Sequence, residues 1–288
     1  MNLNRCAAAM LLWGTLALAG CATTASEEPH VLSGEAPVEK VLQRADESYR
    51  AGDFKAATIL YQIAIGEEAT AETWFKLGMA ENYQGNRDKA LFSFLKALDL
   101  DPEHAGALEK MGLYYTSKGE VERARAYLDR LLAVDESNWR AHNALGVLAD
   151  LEKEFSAATN HYLAALKLRP DLSMLWNNLG YSVYLMGDLE RASTYMRRAL
   201  ELDPNYGPAR QNLALVFVRK DEYDEALVIL LEKQDVPTAY TNVGYLAYMV
   251  GDYDRAEQYL TEAIRQSPTF NKSAHTYLAA TRQASKNS

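Results

Sequence analysis

Apolar and small residues recur along this chain every 33 or 34 residues, and within each interval they fall at helical spacing. Intervals begin near 38, 71, 105, 139, 173, 207 and 237. Position 8 then reads Ala45, Gly78, Gly112, Gly146, Gly180, Ala214 and Gly244, and position 20 reads Ala57, Ala90, Ala124, Ala158, Ala192, Ala226 and Ala256. Position 7 is Leu77, Met111, Leu145, Leu179, Leu213 and Val243 from the second interval on. Position 24 is bulky throughout: Tyr61, Phe94, Leu128, Tyr162, Met196, Leu230 and Leu260. The pattern predicts two helices per interval. Small residues at 8 and 20 let the pair cross closely, and alanines at position 27 (Ala64, Ala97, Ala165, Ala199, Ala263) do the same toward the next interval. Gly52, Gly85, Gly119, Gly187 and Gly251 at position 15 end the first helix, and the following Asp, Asn or Glu can cap the second. Proline at position 32 (Pro102, Pro170, Pro204, Pro268) cannot continue the preceding helix and is expected to start the next.

This pattern resembles the tetratricopeptide repeat over about 38–270. The resemblance implies an all-α, right-handed superhelix of about seven helix-turn-helix units. Residues 271–288 place Ala274, Tyr277, Leu278 and Thr281 on one face, which reads as a capping helix followed by a polar tail.

The start of the chain follows a different pattern. Met1 to Arg5 carries one basic side chain, and Cys6 to Leu18 is an almost uninterrupted apolar stretch. It is too short to span a bilayer, which takes roughly 20 apolar residues, and fits the core of a secretory signal. Leu18-Ala19-Gly20-Cys21 closes that stretch and resembles a bacterial lipobox. The resemblance implies a signal peptide over 1–20, cleavage before Cys21, and a membrane anchor of acyl chains such as palmitate on Cys21. Ala22 follows, and by similarity to enterobacterial sorting the expected location is the periplasmic face of the outer membrane. Residues 21–37 read as a lipidated flexible tether with an r.m.s. reach of roughly 20–25 Å. With Cys6 removed, Cys21 is the one cysteine left, so no internal disulfide is expected.

Composition narrows the function. A 48% apolar content excludes wholesale disorder, and 30 basic against 39 acidic residues, without a basic block, argue against nucleic-acid binding. Signal, tether, repeats and cap account for the whole chain, which leaves no catalytic domain. His30, His104, His142, His161 and His275 lack metal-ligand spacing and read as surface or inter-helix residues. No nucleophile-elbow or phosphate-loop motif occurs. The expectation is a non-enzyme with no catalytic residue, no metal and no cofactor.

The resemblance implies that positions 5, 9 and 12 of each first helix line a concave groove, at a spacing that forms one stripe. The stripe reads Phe75-Met79-Asn82, Glu109-Leu113-Thr116 and Asn143-Val147-Asp150, then Asn177-Tyr181-Tyr184, Gln211-Leu215-Val218 and Thr241-Tyr245-Tyr248. Position 6 adds Asn178, Asn212 and Asn242. Amides can hydrogen-bond an extended peptide, and exposed tyrosines can anchor it. Equally, the asparagines can bond neighbouring helices and the tyrosines can fill gaps between units. Both readings stand on the sequence, with peptide or helix binding expected of the set. The segments Asn177-Asn178-Leu179-Gly180-Tyr181, Arg210-Gln211-Asn212-Leu213 and Tyr240-Thr241-Asn242-Val243-Gly244-Tyr245, with a shortened sixth unit ending at Pro237, add a narrower likeness. Together with the lipobox they resemble the TadD family of tight-adherence (Flp) pilus systems. That resemblance implies an interaction scaffold in assembly of the pilus secretion apparatus, with its secretin or another assembly component as partner. A pilotin-like lipoprotein of type IV pili, or an adaptor for peptidoglycan hydrolases, is the alternative.

Overall fold

The computed structural model describes residues 37–286, so the signal segment, Cys21 and the tether up to 36 lie outside the described residues. All regular structure among the described residues is helical. Helices α1 (Val38–Arg50), α2 (Phe54–Glu67), α3 (Ala71–Tyr83), α4 (Arg87–Leu100), α5 (Ala105–Lys118) and α6 (Val121–Val134) precede α7 (Trp139–Leu151). Then come α8 (Phe155–Leu168), α9 (Ser173–Leu185), α10 (Leu189–Leu202), α11 (Gly207–Arg219) and α12 (Tyr223–Leu231). The chain closes with α13 (Val236–Val250), α14 (Tyr253–Gln266) and α15 (Lys272–Ser285). The first compact unit ends at Leu148 and the second begins at Ala149, within α7.

Each predicted pair is a pair of packed helices, and the periodic columns explain the packing. The alanines at position 20 are all at most 1% exposed, and those at position 27 are fully buried. The close approach is made chiefly between positions 8 and 24. A Cβ added to Gly78 would lie 2.6 Å from the Phe94 ring, and one on Gly112 would lie 2.6 Å from Leu128 Cδ2. The absent side chain is therefore the space that the bulky residue occupies. The shorter α12, of 9 residues, corresponds to the shortened sixth unit.

Position 15 carries the turn. Gly52, Gly85, Gly119, Gly187 and Gly251 all have positive φ, between 68° and 89°. Lys153 and Asp221 stand at the same position in the fourth and sixth units and are forced to φ 64°. The left-handed conformation costs a residue with a Cβ roughly 1–2 kcal/mol, less for Asp than for Lys. Glycine in turn loses more backbone entropy on folding. Lys153→Gly is thus expected to stabilise the fold by about 0.5–1 kcal/mol, and Asp221→Gly by less, measured as urea midpoints. Equal or lower midpoints would mean that the turn is not strained.

Two sequence expectations need correction. Pro102, Pro170 and Pro204 sit in the turns that follow α4, α8 and α10, three residues before the next helix begins, and Pro268 follows α14 four residues before α15, so they stop helices without starting them. The prolines at helix starts are Pro208 and Pro237, in the first turns of α11 and α13, and Pro37, the residue just before α1. Capping at position 16 is selective as well. The side chains of Asp53, Asp188 and Asp252 accept from the backbone N–H three residues on, whereas Asn86, Glu120, Glu154 and Glu222 make no such bond. Glutamate's extra methylene takes its carboxylate past the capping position.

Candidate protein-interaction site

The candidate residues of the second compact unit lie on α9, α11 and α13, the first helices of their units. The amides and the tyrosines behave differently there. Asn177 and Asn178 are each only 2% exposed. Asn177 Nδ2 donates to Asn178 Oδ1 at 3.3 Å, and Asn212 Nδ2 donates to Asn177 Oδ1 at 2.9 Å. Asn242 Nδ2 donates to Gln234 Oε1 at 2.8 Å. These amides join α9 to α11 and tie α13 to the turn before it. A buried amide must be hydrogen-bonded, and here neighbouring helices supply the partners, so Asn177 and Asn178 do not present an open row to a peptide. Gln211 on α11 is exposed.

The tyrosines retain accessible surface. Tyr181, Tyr184, Tyr245 and Tyr248 are half-buried, where the sequence suggested open exposure. Tyr181 and Tyr184 stack with ring centroids 5.9 Å apart. Tyr245 packs on Tyr277 of α15 at 4.6 Å, and Tyr248 lies 6.1 Å from Tyr253. Burial pushes the Tyr184 phenol up, partly offset by the positive charge of Arg219. Each ring is thus held in place while one part of it stays wet, which suits a rigid interface anchor. Sequence reasoning missed Tyr253 and Arg219 as neighbours; Tyr277 was legible only as part of the cap. In the first compact unit, Asn143 on α7 is half-buried.

A buried polar cluster lies beside these residues in the second unit. Ser182 Oγ donates to Asp150 Oδ1 at 2.7 Å, and the Tyr162 hydroxyl donates to Asp150 Oδ2 at 2.8 Å. Burial pushes the Asp150 carboxyl up to about 6, against the lowering effect of those two hydrogen bonds. Tyr162 is fully buried, and desolvation and the adjacent carboxylate drive its phenol well up. The first unit has a counterpart: the Tyr61 hydroxyl donates to Asp46 Oδ1 at 2.6 Å, and Lys76 Nζ lies 2.9 Å from Asp46 Oδ2. There burial would raise the carboxyl, but Tyr61, Lys76 and the lysine's charge carry it below the usual range. The signal in the sequence was tyrosine at position 24, because a buried hydroxyl needs an acceptor.

His104 is an inter-helix residue: its Nδ1 accepts from the Ala107 N–H at 3.2 Å and its Nε2 lies 3.2 Å from Glu72. Among the described residues no three His, Cys, Asp or Glu side chains gather as a metal site would need, and no helix is long and apolar enough to cross a membrane.

Comparison with known proteins places these helix pairs among tetratricopeptide repeats. Residues 173–206 and 212–270 match tetratricopeptide repeat families, and residues 41–151 match the middle TPR-like domain of cilia and flagella-associated protein 70. The type IV pilus assembly protein PilF of Pseudomonas aeruginosa is 26% identical over 160 residues, which is 55% of this chain and 64% of that protein. The BBSome complex member BBS4 of Bos taurus is 28% identical over 158 residues, 55% of this chain and 30% of that one. A peroxisomal targeting signal receptor of Candida albicans is 26% identical over 218 residues, 61% of this chain and 37% of the receptor. This chain thus spans less than two thirds of each of these relatives. Among solved structures, a tetratricopeptide repeat protein of Parabacteroides merdae superposes with a TM-score of 0.62 at 17% identity, covering 85% of this chain and 98% of that one. The type IV pilus biogenesis factor PilW superposes at 0.53 and 19%, covering 84% and 98%. At such identities the superpositions establish the fold.

Proposed function

We infer that this chain, built of tetratricopeptide repeats and related in sequence to a type IV pilus assembly protein, is a protein-interaction scaffold for assembling a pilus secretion apparatus. In this reading it is a lipoprotein anchored through Cys21 at the periplasmic face of the outer membrane. It serves a tight-adherence (Flp) system, with the secretin or another assembly component as partner. The observation that carries the interaction role is the set Tyr181, Tyr184, Tyr245 and Tyr248, half-buried and ring-packed on first helices of the second unit. The likeness to PilF favours a second reading, a pilotin-like role in type IV pili. Pull-down against the secretins of both systems separates the two.

The test is a Tyr181→Ala, Tyr245→Ala double variant. Because both rings are half-buried and packed on a second ring, each truncation should cost about 1 kcal/mol of stability. Partner affinity per folded molecule should fall by about 2 kcal/mol, roughly thirtyfold. Lower melting with unchanged affinity would assign these tyrosines to packing alone. Anchoring is tested separately. Two or more acyl chains anchor stably where one binds marginally, so Cys21→Ser should release the protein from membranes or trap its precursor. A Cys21→Ser protein that still fractionates with outer membrane after a salt wash would overturn the anchor.

A further inference from the structure

The first compact unit contains a carboxylate where its own repeat pattern calls for an apolar side chain. Position 11 of the first helices reads Ser48, Glu81, Tyr115, Ala149, Val183, Phe217 and Ala247, so Glu81 is the one charged residue in that column. It is 4% exposed. Its carboxylate takes one side-chain hydrogen bond among the described residues, from Ser93 Oγ to Oε2 at 2.7 Å, and has no ion pair there. A buried carboxylate held by a single neutral hydroxyl is under-compensated, and burial accordingly pushes its pKa up, against Ser93 and the charge of Lys89.

Glu81 lines an open cleft of about 460 Å³ formed by α2, α3 and α4. Trp74 and Phe92 form its aromatic wall, packed edge to face at 6.0 Å, with Phe92 55% exposed. Asp88 and Lys89 stand at the cleft with them. The Phe92 ring already lies within cation reach, since Lys96 Nζ sits 5.7 Å from its centroid. A carboxylate lacking a counter-ion, beside two aromatic rings, is complementary to a planar cation. Guanidinium is more weakly hydrated than ammonium and stacks on aromatic faces, so it loses less on entering such a site. The chain's net charge of −9 adds a favourable long-range field for a basic partner.

We propose that the cleft between α2, α3 and α4 is a binding site for an arginine side chain of a partner protein, with Glu81 as its counter-ion and Trp74 and Phe92 as its stacking walls. The site rests on the reading of the chain as a protein-interaction scaffold, and it uses none of the tyrosines of the second unit. Lys89 is the internal competitor: without forming an ion pair, its charge lowers the cost of the Glu81 carboxylate in the free protein and repels an incoming guanidinium.

The test is a titration of the full, 15N-labelled chain with N-acetyl-arginine amide, following the Trp74 indole N–H, identified by its loss in Trp74→Phe. The neutral isostere N-acetyl-citrulline amide is the control. Arginine amide should give a saturable shift and citrulline amide none. Glu81→Gln keeps the Ser93 hydrogen bond and should weaken binding at least tenfold. Lys89→Ala, at an exposed position, should tighten it about threefold, a change in the direction that damage to the fold does not produce. Equal shifts from both amides, unchanged affinity in Glu81→Gln, weaker binding in Lys89→Ala, or no saturable shift up to the amide's solubility would each overturn the proposal. Because the probe is a single amino-acid derivative, failure here leaves the partner pull-down with the tyrosine variant undisturbed, and the reverse also holds.

Discussion

Replacing Gly244 with leucine is expected to lower the unfolding free energy by about 3 kcal/mol or more. A Cβ at Gly244 would lie 2.6 Å from Leu260 Cγ and 3.1 Å from the Leu260 backbone nitrogen. The first obstacle is a branched, fully buried side chain and the second is backbone, so α13 and α14 must separate. Gly180 differs in degree: its Cβ would meet Met196 Cγ at 3.1 Å, Ala192 O at 3.2 Å and Tyr195 Cβ at 3.3 Å. Methionine is flexible and can shift by tenths of an ångström, whereas the Ala192 carbonyl is backbone and sets a small residual cost. Gly180→Ala should therefore be near neutral, since alanine gains up to about 1 kcal/mol in helix propensity. Gly180→Leu exceeds what Met196 can yield and should cost about 1–3 kcal/mol. Repeat stability is coupled to nearest neighbours, so loss of hydrogen-exchange protection should begin in the mutated unit. Wild-type melting of Gly244→Leu would mean that position 244 does not face Leu260.

The second large effect is a pH dependence that resides at Asp150. In the unfolded chain its carboxyl titrates near 3.8, whereas in the folded protein it titrates at about 6. A carboxyl with a raised folded pKa contributes stability that is present below 3.8 and lost as pH rises through 6. The shift corresponds to about 3 kcal/mol between those limits. Asp150→Asn removes the titration, and the Ser182 and Tyr162 hydroxyls can both donate and accept, so the amide can keep both contacts. The stability of wild type relative to Asp150→Asn should thus rise by about 2 kcal/mol as pH falls from 7 to 4, with the variant the more stable above pH 6. Taking the difference at each pH cancels opposing carboxylates such as Asp46 and Asp135, which are held below their usual range. Urea unfolding at several pH values measures it. A constant difference across that range would show that Asp150 is ionised throughout.

The tyrosine variant and the glycine variants probe different levels of the same pattern. Gly244 and Gly180 test whether the helix pairs form as the repeat demands, and Tyr181 and Tyr245 test what the pairs display. A variant that folds but loses binding per folded molecule separates display from fold, and this separation is what an interaction scaffold requires.

The helix pairs were legible in the sequence because their determinants are local and repeated. Alanine at position 20, a small residue at 8 and a bulky one at 24 are each chosen by the nearest helix, and seven copies make the choice visible. The positive-φ turn at position 15 was legible for the same reason, since five of its seven occupants are glycine. The likeness of residues 18–21 to a lipobox was also visible in the sequence, and it lies outside the described residues. What only the tertiary structure decided are the partners of polar side chains. Asn177 and Asn212 sit at positions that could face solvent or a neighbouring helix, and the choice depends on the approach of α9 to α11 across 35 residues. Asp46 and Asp150 are both aspartates that accept a hydrogen bond from a tyrosine at position 24, yet one carboxyl is lowered and the other raised. The cation of Lys76, 30 residues away in sequence, compensates Asp46, while Asp150 is offered only hydroxyls. Apolar packing follows the repeat period, but the environment of a charge depends on which side chains the packed helices bring to it, and no periodicity in the chain encodes that.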